Sequence, residues 1–292
     1  MTDPTVEALP VPRSTLGESP LWDHRRGVLW WVDVRSPCIH GLEVATGAVR
    51  SFRTPEVVAA VALRRGGGLV ACMVSGLWAV DPDTGAATRL APRDDGHAGN
   101  RLNDTKVDAK GRLWTSTMWD FARERTGALY RVDADLVFRR MHGPVRVPNA
   151  ISFAPDGRTL HFTDTAEGDI LAFELDMETG ALGPPRVLAP ADVAPGHPDG
   201  ATVDAEGYLW NARFGVGQVI RLAPDGRLDR TVRLPATQVT ACAFGGPDLS
   251  TLYVTTGTQG LTPDGLRTQV TAGALFAVDV GVRGRKEPEF HG

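Results

Sequence analysis

The sequence predicts an all-β chain folded as a six-bladed β-propeller, four antiparallel strands per blade, in a single domain over residues 1–292. Three observations carry that prediction. A short phrase built on an anchoring leucine recurs six times along the chain. Hydrophobicity alternates within each unit in short runs, the two-residue period of a strand. The 33 glycines and 21 prolines supply turns at a density that suits many short strands and not a helical chain.

The anchors are Leu29, Leu69, Leu113, Leu160, Leu209 and Leu252. Their intervals are 40, 44, 47, 49 and 43 residues, with 40 left after the last, so six units span the chain. Units of this length with about four short strands are propeller blades. In order, the phrases are Gly27-Val28-Leu29-Trp30, Gly68-Leu69-Val70, Gly111-Arg112-Leu113-Trp114, Asp156 to Leu160-His161, Gly207-Tyr208-Leu209-Trp210 and Leu249 to Leu252-Tyr253. A further strand follows the anchor at residues 76–81, 127–133 and 273–279, and Asp83-Thr84-Gly85, Glu178-Thr179-Gly180 and Asp225-Gly226 mark turns. No segment carries a 3.6-residue apolar stripe, so no helix is expected. Trp30, Trp114 and Trp210, one step beyond their anchors, are expected to pack between blades. Ring closure predicts that residues 5–12 supply the outer strand of the last blade. So regular a repeat fits a β-sandwich poorly.

Composition narrows the function. A net charge of -4 without any Lys/Arg-rich run argues against nucleic acid and anionic membrane as partners. The first residues lack the basic start and apolar centre of a secretory signal, and no run approaches a membrane span, so a cytoplasmic setting is expected. Cys38, Cys72 and Cys242 are isolated and imply neither a disulfide framework nor a thiolate zinc site.

The innermost strand of each blade lies just before its anchor and lines the axis, so equivalent axial positions follow by counting back ten to twelve residues. The count gives Glu18, Val58, Asn103, Asn149, Asp199 and either Ala241 or Thr240. Four of the six carry hard oxygen donors, suited to Ca²⁺, Mg²⁺ or Mn²⁺ with positions left for water or substrate. The alternative is a ring of polar side chains lining a wet channel. Arg101 shares a strand face with Asn103 and can aim at substrate oxygens. Asp120, in the loop after an outgoing strand, either reaches the mouth or is a turn residue. His197 is two residues from Asp199, a candidate for proton transfer or a solvated histidine. No G-x-S-x-G is present, so no serine nucleophile is expected.

The segment Arg101-Leu102-Asn103-Asp104-Thr105-Lys106-Val107-Asp108, continuing to Gly111-Arg112-Leu113-Trp114 and Thr117-Met118, resembles the signature of the SMP-30/gluconolactonase/regucalcin-like family. So do Leu16-Gly17-Glu18-Ser19-Pro20, Pro148-Asn149-Ala150 and Pro198-Asp199-Gly200, and the resemblance runs from about Gly17 to Val282. It implies a six-bladed propeller that holds one divalent metal (Ca, Zn, Mn, Mg or Fe) near the channel mouth and hydrolyses a sugar lactone to the aldonic acid. Carried across motif by motif, Glu18, Asn149 and Asp199 are its metal ligands, and Arg101, Asn103 and Asp120 contact substrate. Ser19, Thr105 and Ala150 stand where relatives favour glycine, which is expected to add bulk near the mouth.

The mechanism expected on this basis has the metal polarise the lactone carbonyl and Asp199 act as general base toward water. The partner is then a small-molecule sugar lactone, and the protein a monomer or weak homo-oligomer. The alternatives are a metal-dependent phosphotriesterase, a non-enzymatic Ca²⁺-binding regulatory propeller and a protein-interaction platform.

Overall fold

Each anchor leucine sits in the second strand of a four-stranded antiparallel sheet, and six such sheets surround one axis in a computed structural model that describes residues 4–93 and 95–292. Blade 1 runs Gly17–Asp23, Val28–Asp33, Cys38–Glu43, Ala48–Arg53. Blade 2 runs Val58–Leu63, Leu69–Met73, Gly76–Val80, Ala87–Pro92. Blade 3 runs Asn100–Val107, Leu113–Trp119, Gly127–Val132, Phe138–Val145. Blade 4 runs Pro148–Phe153, Thr159–Asp164, Ile170–Glu174, Arg186–Ala189. Blade 5 runs His197–Val203, Leu209–Phe214, Gln218–Leu222, Leu228–Arg233. Blade 6 has Val239–Gly245, Thr251–Thr256 and Phe276–Asp279 from the C-terminal part, and its outer strand, Val6–Ala8, comes from the N-terminus. The expected closure is therefore present, over three residues of the segment predicted.

The repeat has a packing cause. Six apolar clusters fill the six interfaces between neighbouring blades. The second strand is buried on both faces, and strand alternation sends successive side chains to opposite sides. Every anchor leucine packs into the interface with the preceding blade: Leu29 against blade 6, Leu69 against blade 1, Leu252 against blade 5. The next residue packs toward the following blade, as Trp30, Trp114 and Trp210 do. The hairpin ahead of the anchor repeats too. Asp108 and Asp204 each accept backbone N–H groups of their own turn and the indole N–H of Trp114 (2.8 Å) or Trp210 (2.9 Å). Gly111 and Gly207, at φ 77° and 88°, supply the left-handed residue these turns need.

Two features depart from expectation. Residues 263–268 form a short helix, whose start is set by Thr262 accepting from Gly265 N and by Pro263 in the first turn. Six residues are too few to display a helical period, which is why the pattern did not reveal it. The third strand of blade 6, expected from residue 273, begins at Phe276, because Ala274 N bonds back to Thr271 O in a turn. No helix among the described residues is long and apolar enough to cross a membrane.

The C-terminal segment crosses the end of the channel away from the start of the inner strands. Arg283 O accepts from Ala205 N (2.8 Å), Gly284 N donates to Leu249 O (2.8 Å), and Phe290 exchanges backbone bonds with Leu63 and Arg65. Phe290 is fully buried, and Glu287 pairs with the channel lysine Lys106 at 2.8 Å. The segment touches hairpins of several blades and closes that end.

Candidate active site

Inner strands begin at the mouth and second strands end there, so the mouth is built from the first residues of the former and the loops after the latter. Four residues upstream of each anchor's inner-strand partner (Trp22, Leu63, Val107, Phe153, Val203, Phe244) stand Glu18, Ala59, Asn103, Asn149, Asp199 and Thr240. The equivalence inferred from sequence is thus met in blades 1, 3, 4 and 5. Blade 2 presents Ala59 instead of Val58, because its hairpin is a residue shorter than that of blade 1, and in blade 6 the position left between Ala241 and Thr240 falls on Thr240. All six inner strands break register at this level, with irregularities between Glu18 and Leu21, Val58 and Ala60, Leu102 and Thr105, Asn149 and Ser152, Pro198 and Ala201, and Val239 and Ala241. Bulges of this kind re-aim side chains beside active sites.

Glu18 and Asp199, from the inner strands of blades 1 and 5, lie close enough for the charge of Asp199 to act on Glu18. Burial holds the carboxyl of Glu18 well above its ordinary range, reinforced by the charges of Asp199 and Asp104. Asp199 is raised likewise, by burial and then by Asp104. No Lys, Arg or His side chain among the described residues hydrogen-bonds to either. Asp104, raised by burial, is anchored by Ile151 N at 2.8 Å and Thr105 N at 2.7 Å.

A directed chain of hydrogen bonds links the other positions. Arg101 Nη1 donates to Asn103 Oδ1 (2.6 Å), and Asn103 Nδ2 donates to Pro148 O (2.8 Å) and Asn149 Oδ1 (2.9 Å). Asn149 Nδ2 donates to Thr165 Oγ1 (2.9 Å), whose hydroxyl donates to Pro198 O (2.7 Å), next to Asp199. Every amide on this path has its orientation fixed by an obligate donor or acceptor at one end, so the amide oxygen of Asn149 is held on the side of Asn103. Asn211 Nδ2 donates to the carbonyl of Asp199 (2.8 Å), fixing the backbone of that bulge.

Asp120 does reach the mouth, as one carboxylate shared by two guanidinium groups. Arg101 Nε donates to it at 2.9 Å and Arg35 approaches through Nη1 and Nη2, each at 2.9 Å. Burial pushes the Asp120 carboxyl up, but the bonds to Arg35 and Arg101 outweigh it and leave it at about 2. Arg35 also donates through Nε to Gln259 (2.6 Å) and lies 4.1 Å from the Phe121 ring centre. His197 is exposed at the start of the blade 5 inner strand.

Sequence reasoning missed Arg35, Thr165 and Gln259. All three lie in loops that follow second strands, a position the repeat could have flagged, since the loop holding Asp120 is equivalent. It also misjudged the residues that replace glycine. Ser19 and Ala150 have φ of 51° and 58°, left-handed backbone where glycine is easier, which explains that preference. Their bulk goes elsewhere than the mouth. Ser19 Oγ bonds with the backbone of Val61, Ala150 is fully buried between blades 4 and 5, and Thr105 Oγ1 meets Thr115 Oγ1 (2.8 Å) and Cys72 Sγ (3.1 Å).

Among the described residues no three His, Cys, Asp or Glu side chains form a metal-holding group. Glu18, half-buried, and Asp199, buried, with raised proton affinity, together with the oriented amide oxygen of Asn149, are donors of the chemical kind a hard divalent cation takes.

Residues 16–258 match the family described as SMP-30/Gluconolactonase/LRE-like region. A 6-deoxy-6-sulfogluconolactonase from Pseudomonas putida is 36% identical over 280 residues, covering 96% of each chain. Regucalcin from Xenopus laevis is 33% identical over the full length of both. The crystal structure of a calcium-binding protein, regucalcin, from Agrobacterium tumefaciens superposes with a TM-score of 0.93 at 32% identity, covering 97% of this chain and 96% of that one. The chain belongs to the SMP-30/gluconolactonase/LRE-like family.

Proposed function

We propose that this family member is a lactone hydrolase, acting on a carboxylic ester bond to open a sugar lactone to its aldonic acid, with Glu18, Asn149 and Asp199 holding one divalent cation. The observation that carries the reading is the pair Glu18, half-buried, and Asp199, buried, whose proton affinities are raised by burial and by neighbouring carboxylates and which have no basic hydrogen-bond partner among the described residues. Desolvated neighbouring carboxylates are costly to keep charged, and a cation bound between them removes that cost. The names of relatives support the substrate: the Pseudomonas putida protein is named for a gluconolactone.

A divalent cation held by these donors supplies Lewis acidity toward an ester carbonyl. The chain's own residues do the rest. Asp199 accepts a proton from the attacking water as general base. Arg101 offers Nη2, which has no hydrogen-bond partner among the described residues, to a substrate oxygen. Asn103 and the bulge around Asp199 are fixed in advance by the bonds described above, so little ordering is left for the reaction. No covalent intermediate is needed, since water is the nucleophile.

The test is pH-stat hydrolysis of glucono-, galactono-, xylono- and arabinonolactones, on protein stripped with EDTA and re-supplied with single metals, calcium first. Turnover restored by a metal and lost in Asp199→Ala is the expected result. Stoichiometric cation binding with no turnover of any lactone would overturn it, and would favour the second reading, a calcium-binding protein without hydrolysis, to which the relatives named regucalcin point.

A further inference from the structure

We propose that Arg35 and Arg101 together form a subsite at the rim of the mouth for an anionic oxo group carried by the lactone, a carboxylate, phosphate or sulfonate at the end remote from the ester. The proposal rests on the lactonase reading and sharpens its substrate class.

The first argument is charge. Arg35 and Arg101 come from blades 1 and 3 and share one carboxylate, Asp120, at 2.9 Å. Two guanidinium groups on one carboxylate leave one positive charge in excess. The acidic groups facing this corner belong elsewhere. Glu18 and Asp199 are the donors of the proposed cation, and Asp104 lies deeper, where Lys106 faces it. The rim is therefore basic once the cation is in place.

The second argument is donor count. A guanidinium carries five N–H groups. Arg35 spends three, on the two oxygens of Asp120 and on Gln259, and keeps two. Arg101 spends three, on Asp120, Leu102 O and Asn103, and keeps both on Nη2. The side chain of Arg35, in the loop beside Asp120, remains 16% exposed. Planar forks of this type match the oxygens of oxoanions.

The third argument is rigidity. Arg35 is gripped by Asp120 and Gln259 and packed on Phe121, which is itself in left-handed backbone at φ 60°. Strained backbone held by its surroundings marks functional loops. A guanidinium fixed in this way loses little freedom on meeting an anion.

The experiment compares kcat/KM of the calcium-loaded full chain on D-glucono-1,5-lactone and on its 6-phosphate, in wild type, Arg35→Leu and Arg35→Lys. The expected result is a wild-type preference of about 10-fold or more for the phosphorylated lactone, carried mainly by KM and weakened by salt. Arg35→Leu abolishes that preference and Arg35→Lys retains part of it. Because the readout is a ratio of two substrates on one preparation, partial unfolding of a variant cancels. Equal kcat/KM for the two lactones in wild type, or a preference that survives Arg35→Leu, overturns the subsite and leaves the lactonase reading standing. No turnover of either lactone overturns both.

Discussion

The two ends of the channel are built from the same six strands and treat charge in opposite ways. At the far end the C-terminal segment lies across the hairpins, and the one lysine in the channel wall is matched: Lys106 and Glu287 pair at 2.8 Å, with side chains only 13% and 16% exposed. Burial alone would lower the proton affinity of that lysine, yet Glu287 raises it. Nearby, the hairpin aspartates spend their oxygens on backbone N–H groups and tryptophan indoles. At the mouth, burial and neighbouring carboxylates outweigh the charge of Arg101 on both Glu18 and Asp199, and no basic side chain among the described residues hydrogen-bonds to either. At the far end the channel lysine and the hairpin aspartates find their partners within the chain. At the mouth two neighbouring carboxylates have no hydrogen-bonded cation among the described residues, and that difference in charge pairing separates the two ends of a repeated scaffold.

Four experiments test that contrast, the largest effect first. Glu18→Gln should reduce metal-dependent lactone hydrolysis by about 1,000-fold or more, as expected when a ligand of an essential cation is lost. The same change should leave the melting temperature of the EDTA-treated protein unchanged or higher, since it removes one of two repelling charges. A marked loss of stability in calorimetry would mean that the pair has a structural partner after all. At the other end the signs reverse. Glu287→Gln strands a buried lysine and should cost about 2 kcal/mol in urea denaturation, between the values for exposed and fully buried pairs; an unchanged midpoint would make the strap dispensable.

The third experiment uses pH. Raised carboxyl values mean that the folded chain holds protons that the unfolded chain releases, so without a cation these two groups lose stability for the fold as pH rises through their folded values. Protons and calcium compete for the same oxygens, so the rise in melting temperature on adding calcium should be a few degrees larger at about pH 7.5 than at about pH 5.5. A calcium shift independent of pH would separate the cation from these carboxylates. Asp120 behaves oppositely: at about 2, its grip on Arg101 persists across this range and fails only as pH falls toward that value. The smallest effect is expected of Ala150→Gly. Relief of left-handed backbone opposes the loss of a buried methyl and the added freedom of the unfolded chain, leaving a net change within about 0.5 kcal/mol in the same urea assay.

Much of this was legible before folding. The leucine anchors could be read because every blade solves one packing problem, a second strand buried on both faces, so Leu and the residue after it recur at each interface. The axial donors Glu18, Asn103, Asn149 and Asp199 followed from the same period. The count slipped by one in blade 2, where a shorter hairpin substitutes Ala59 for Val58, since hairpin length is set by local turn chemistry that the period averages away. Asp120 was found, but not its two-arginine setting, because Arg35 is 85 residues away in sequence.

The sequence by itself determined the number of blades, the order of their strands, the N-terminal closure and the ring of polar residues at the axis, because all of these repeat with a local period. Only the tertiary structure decided which loops meet at the mouth and what seals the other end. The union of Arg35 with Arg101 on Asp120, of Asn103 with Asn149, and of Glu287 with Lys106 across 181 residues depends on the closing of the ring, which brings distant segments together without leaving a pattern in any one of them.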